Sequence, residues 1–367
     1  MQKLNFTKEH TKIVKGVAIL LMLTHHLFAF PDRIHIQPGY ISMLSISGKT
    51  IEYLLGVFGN ICVSMYMFLS GYGIYMSSLK QGKITLRDSF KRIKKLYINY
   101  WIVFVVFVPI GFIFFNQELN IRELILNFVG LSSSYNNEWW FFILYIELML
   151  VVPLLNYIIR DDLLKSVINV VGLLVIGKAM GIGIDAGLNL GKIPNLIIYR
   201  IKDLIFWQTY FLIGFICAKF GLFSKVMKQF IDSKLDRRIV YALLCVLIVF
   251  IRKILGNNLI MDFILMPCFV FAVVNLLYNS VFHKLFRLLG EHSTNMWLIH
   301  SFFCYRYFQW LVFKPRLSIL ILAWLVVLSL VSSYFINYLH KWGSKVFMKY
   351  ISAHNQKNTT KKRKKLL

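Results

Sequence analysis

Lys12-Ile13-Val14-Lys15-Gly16-Val17-Ala18-Ile19-Leu20-Leu21-Met22-Leu23-Thr24-His25-His26-Leu27-Phe28 is the first apolar block of the chain. Between Lys15 and His25 it carries no ionisable side chain, the pattern of a helix that spans a bilayer. Comparable blocks begin near Ile51, Ile98, Trp139, Ser166, Leu204, Ile239, Leu259, His292 and Ser318. Each runs for about twenty residues, the length that crosses the hydrocarbon core as a helix. Hydrophobic residues make up 58% of the 367-residue chain, more apolar surface than a soluble domain of this length can bury. Barrel strands would alternate apolar and polar residues, and these blocks do not. The expectation is an all-α, polytopic helical membrane protein with about ten transmembrane helices. The block from Ser166 to Asp185 is the least regular, because it holds Lys178 and four glycines. The first block resembles the core of a signal peptide, but no small-residue cleavage site follows it, so it reads as a retained helix.

Charge supplies an independent reading of the same pattern. The formal net charge is +26, from 42 Lys and Arg against 16 Asp and Glu. In a soluble protein that excess would suggest nucleic acid. With the N-terminus inside, however, the inner segments hold thirty of the 42 basic residues. They are the first fifteen residues, 80–95, 160–165, 219–238, 283–287 and the tail ending in Lys361-Lys362-Arg363-Lys364-Lys365. The positive-inside rule then predicts a cell-membrane protein with both termini cytoplasmic. Its basic loops face anionic membrane lipid, and no nucleic-acid partner is expected. Residues 1–350 form one membrane domain, and 351–367 form a basic cytoplasmic tail expected to be disordered. Cys62, Cys217, Cys245, Cys268 and Cys304 lie apart in apolar segments, so they read as small buried hydrophobes and no metal site is expected.

An ionisable group inside a span is costly, which singles out the adjacent His25 and His26. Lys15 and His26 are eleven residues apart, about three turns, so they share one helix face with a gap of roughly 16 Å along the axis. His25 points about 100° away from that face. A neutral imidazole at such depth can act as a general base. Phe68-Leu69-Ser70-Gly71-Tyr72 has small residues suited to close helix packing. Lys91-Arg92-Ile93-Lys94-Lys95 is either topogenic charge or a phosphate site. Glu147, several residues beyond Trp139-Trp140, needs a partner, for which Lys178 is one candidate. Ser293 and His300 share a face in the ninth block.

These residues resemble the acyltransferase-3 family of integral membrane O-acyltransferases, over about residues 12–338. The resemblance is carried by a basic residue, ten intervening residues and a histidine, here Lys15 and His26. The Phe68–Tyr72 stretch, the Trp140-Phe141-Phe142 helix ending near Pro153 and the Ser293–His300 helix follow in the family's order. Lys15 stands where the family commonly has arginine, and the basic loop lacks a proline often found after it. The resemblance implies acyl transfer, commonly of acetyl from acetyl-CoA, to hydroxyls of exported or surface carbohydrates. It implies His26 as the catalytic residue, with His25 beside it, and Lys15, Arg92 and Lys95 as donor-binding residues. Glu147, His300, Trp140 and Ser70 are candidates for binding acceptor or orienting His26. The expected partners are acyl-CoA, a carbohydrate acceptor that is lipid-linked or at the surface, and membrane lipid, with no tightly bound cofactor. The runner-up is a transporter or flippase for a glycan intermediate or organic anion, although no inverted repeat is visible. A sensory or scaffolding protein would leave the buried histidines unexplained.

Overall fold

The computed structural model describes residues 6–37, 39–46, 48–79, 84–155, 157–186, 192–230, 237–256 and 259–364. Its helices are α1 (Lys8–Phe28), α2 (Ile51–Phe58), α3 (Ile61–Ser78), α4 (Leu86–Phe114), α5 (Ile121–Phe128), α6 (Trp140–Leu155) and α7 (Leu163–Asp185). They continue as α8 (Lys192–Lys219), α9 (Leu222–Phe230), α10 (Arg237–Ile254), α11 (Asp262–Leu277), α12 (His283–Ser301), α13 (Gln309–Phe313) and α14 (Ser318–Lys364). The described strands are one two-residue pair, Ser45–Ile46 with Lys49–Thr50. Polar side chains mark where helices begin. Thr7 and His10 form a reciprocal capping box on α1, and Thr50, Thr85, Asn120 and Asp162 each accept a backbone N–H from the first turn they precede. The last helix continues to Lys364, into the polar stretch whose composition marks it as irregular.

Among the described residues, seven helical segments are long and apolar enough to cross a membrane: Lys8–Phe28, Ile51–Ser78, Leu86–Phe114, Asn137–Leu155, Leu163–Ile184, Ile197–Lys219 and Ser318–Val346. The Ser166–Asp185 block is among them, despite Lys178. The blocks beginning near Ile239, Leu259 and His292 are also helical, as α10, α11 and α12, but fall outside that set. The reasons differ. α11 has 16 residues, α10 carries Arg237, Arg238, Arg252 and Lys253, and α12 is rich in polar side chains. The polar face of α12 is turned inward, with His292, Ser293, Asn295, His300 and Ser301 all buried. The outer surface is apolar instead: Val105, Ile168, Leu243, Ile264 and Val331 are all more than half exposed. Lipid is the solvent that suits such a surface.

Two glycine-paired crossings set the helix packing. A Cβ on Gly16 of α1 would collide with the Phe286 carbonyl of α12, and one on Gly290 of α12 with the Lys12 carbonyl of α1. Likewise Gly71 of α3 sits on the Phe211 carbonyl of α8, and Gly214 on that of Phe68. Only a missing side chain lets backbones approach so closely. Because Lys12 lies by Gly290 and His26 lies by His300, α1 and α12 run in the same direction. A fully buried ion pair joins the next layer: Arg252 Nε and Nη2 reach Asp262 Oδ1 and Oδ2 at 2.7 and 2.9 Å. All five cysteines are free. Cys62, Cys217 and Cys304 are buried as expected, whereas Cys268 is exposed.

Candidate active site

A cavity of about 550 Å³ opens between α1, α3, α4, α6 and α12. One end is cationic, lined by Lys15, Arg92 and Lys95. His25 and His26 line its middle, and Arg33 and Glu138 line it beyond them. Trp140, Phe141 and Trp297 form apolar wall, and Ser70 also faces the space. Of the nine site residues expected from sequence, seven line this one cavity. The other two do not. Glu147 lies 3.6 Å from Arg200, and Lys178, its candidate partner by sequence, instead stands over the Phe206 ring at 5.4 Å. His300 is fully buried behind His26, with ring centroids 4.8 Å apart.

The surroundings of His26 fix what its two nitrogens can do. The Tyr305 hydroxyl donates to the His26 backbone carbonyl, which commits its hydrogen. The same oxygen lies 3.3 Å from His26 Nδ1 and is left to accept Nδ1–H. With the hydrogen on Nδ1, Nε2 carries the lone pair. It lies 3.4 Å from Glu138 Oε2, with both side chains largely buried. Such a carboxylate stabilises an imidazolium once the ring takes up a proton. Glu138 is held in turn by Arg33, at 3.4 Å through Oε1, and Arg33 stacks over Phe30 and Tyr305 at 4.2 and 5.2 Å.

His25 has a separate anchor. Its Nδ1 lies 2.8 Å from the Gly56 carbonyl, an acceptor only, so that nitrogen carries the hydrogen. The helix geometry that turns His25 away from the Lys15 face therefore directs it onto α2, while it still lines the cavity. His300 is oriented similarly by the Trp297 carbonyl, 2.7 Å from Nδ1, and its Nε2 has no hydrogen-bond partner among the described residues. A π turn, Phe302–Arg306, follows α12 directly and turns Tyr305 onto His26. The turn before α6 is pinned to the same place, because Trp139 Nε1 donates to the Leu298 carbonyl at 3.0 Å and Ser301 Oγ to Asn136 Oδ1 at 2.8 Å. At the cationic end, Arg92 Nη2 donates to Ser77 Oγ at 2.9 Å.

Sequence reasoning missed Arg33, Glu138 and Tyr305 as site residues. Arg33 reads as an outer-loop charge, and Glu138 as the head of an interfacial tryptophan pair. Tyr305 sits 279 positions from His26, with no local signal to join them. Among the described residues no group of three or more His, Cys, Asp and Glu side chains could hold a metal ion.

The cavity thus places an imidazole between a cationic end and a second charged end. No curated protein and no solved structure matches the chain. The model of the acyltransferase domain family matches residues 12–338, and the chain belongs to that acyltransferase-3 family of membrane proteins.

Proposed function

We propose that this chain is an integral membrane O-acyltransferase. It moves an acyl group, acetyl in the first instance, from acyl-CoA to a hydroxyl of a cell-surface or exported carbohydrate. The observation that carries the reading is the continuity of one cavity from Lys15, Arg92 and Lys95 to His26 and on to Glu138. CoA is a polyanion joined to its thioester by a long arm, so cationic side chains at one end and a base further in match its two ends. In this reading the cationic end opens to the cytoplasm, ten helices cross the cell membrane, and both termini are cytoplasmic. The parallel course of α1 and α12 agrees with first and ninth crossings. His26 Nε2 takes the proton of the acceptor hydroxyl as its oxygen attacks the thioester carbonyl carbon. The C–S bond breaks, and the proton passes from the imidazolium to the departing thiolate.

The test is purified protein in detergent or liposomes with labelled acetyl-CoA, with and without an extract of surface glycans. Label should move to carbohydrate, and His26→Ala should lower the rate by about 10² to 10⁴. A His26→Ala protein that inserts normally and still transfers at the wild-type rate overturns the assignment.

A further inference from the structure

Acyl transfer to a hydroxyl passes through a tetrahedral intermediate with a negatively charged oxygen, and hydrogen-bond donors aimed at that oxygen supply much of the catalysis. The base described above does not provide them. Asn60 is an amide donor on the wall of the same cavity. It stands at the joint between α2 and α3, where Gly59 packs against the Leu21 carbonyl and His25 Cβ of α1. Its side chain lines the cavity, as do His25 and His26.

The amide of Asn60 is not free to rotate. Arg252 Nη2 contacts Asn60 Oδ1, and a guanidinium can only donate, so the carbonyl oxygen of the amide is the atom turned toward Arg252. Arg252 is itself immobile. It is fully buried, grips both carboxylate oxygens of Asp262, and donates from Nη1 to the Phe58 carbonyl at 3.0 Å. The Asn60 NH₂ is consequently the end left for the cavity, and no described residue accepts from it. A pair of N–H groups fixed before the substrate arrives needs no reorganisation during the reaction, which is the property an oxyanion site requires.

We infer that Asn60 is an oxyanion donor for the transfer reaction, and that the buried Arg252–Asp262 pair positions it. As the acceptor oxygen bonds to the thioester carbon, the C=O π pair moves to oxygen and is met by Asn60 N–H. When the C=O re-forms, the C–S bond breaks and the thiolate takes the proton held by His26. This rests on the acyltransferase reading with His26 as base.

The experiment compares wild type, Asn60→Ala, Asn60→Asp and His26→Ala with acetyl-CoA and with its dithio analogue, in which sulfur replaces the carbonyl oxygen. Asn60→Ala and Asn60→Asp should lower kcat by about 10² to 10³ with donor KM changed less than about threefold. With the dithio donor, a poorer hydrogen-bond acceptor, their loss should shrink at least about tenfold, whereas a packing defect slows both donors equally. Equal losses on the two donors, or near wild-type kcat in both variants, overturn the assignment. Should Asn60→Ala insert poorly, the near-isosteric Asn60→Asp carries the comparison. If wild type itself transfers nothing, or His26→Ala is fully active, the acyltransferase reading has failed instead.

Discussion

At the level of single side chains, the proposed reaction gives the charges of the cavity different tasks, and substitutions should separate them kinetically. Arg92→Ala should raise the KM for acyl-CoA about tenfold or more while leaving the acceptor KM nearly unchanged, since it removes one charge-assisted phosphate contact. An effect confined to the acceptor would take Arg92 out of the donor site. Glu138→Gln keeps the shape but not the charge that steadies the His26 imidazolium, so kcat should fall about 10 to 100-fold with both KM values nearly kept. Steady-state kinetics on the two variants check both statements. How far these roles were legible in the sequence differs from residue to residue. Lys15 and His26 lie on one helix, and their spacing alone brings them to one face. Glu138 and Tyr305 acquire meaning only when helices distant in the chain meet, and nothing local distinguishes Glu138 from an ordinary interfacial acid. Glu147 shows the converse. It is costly to bury, which sequence reasoning noticed, but Arg200 answers that cost outside the cavity.

For the helices, the glycine-paired crossings make a contrasting prediction. Gly71→Ala in α3 forces a Cβ into the Phe211 carbonyl of α8, so it should cost about 1 to 3 kcal/mol, seen as a lower Tm in detergent, with reduced transfer activity. Gly73→Ala, two residues on, meets nothing within 4 Å and should leave Tm unchanged or raise it, because alanine is the better helix former by up to about 1 kcal/mol. Equal effects of the two would remove the crossing as the reason for Gly71. Apolar blocks made the long helices readable in advance. Small residues in the Phe68–Tyr72 stretch marked close packing, but not that Gly71 meets the Phe211 carbonyl of α8. α10 to α12 show why composition loses precision there. Arg252 of α10, Asp262 of α11 and His292, Ser293, Asn295 and His300 of α12 are buried against other helices, so hydropathy understates how deep these segments lie.

Over the whole molecule, the proposed topology has a direct check. A reporter joined after Leu367 should be active only if it is cytoplasmic, whereas one inserted near Arg33 should be accessible only from outside. Both reporters on one side would overturn the ten-span arrangement. The apolar blocks and the family resemblance foretold a helical membrane domain over the long range 12–338, yet the cavity itself was not legible, because its walls come from opposite ends of the chain. That separation also has a meaning in time. His26 is made early, but Tyr305 follows 279 residues later. At ribosomal speeds of about 5 to 20 residues per second, that interval is on the order of 15 to 55 seconds. For nearly all of it, the nascent first helix lacks the partner for its Gly16 face, and throughout it His26 lacks the tyrosine that later holds it. The growing chain therefore passes through a vulnerable adolescence, during which quality-control proteases can sample α1 before α12 arrives to cover it.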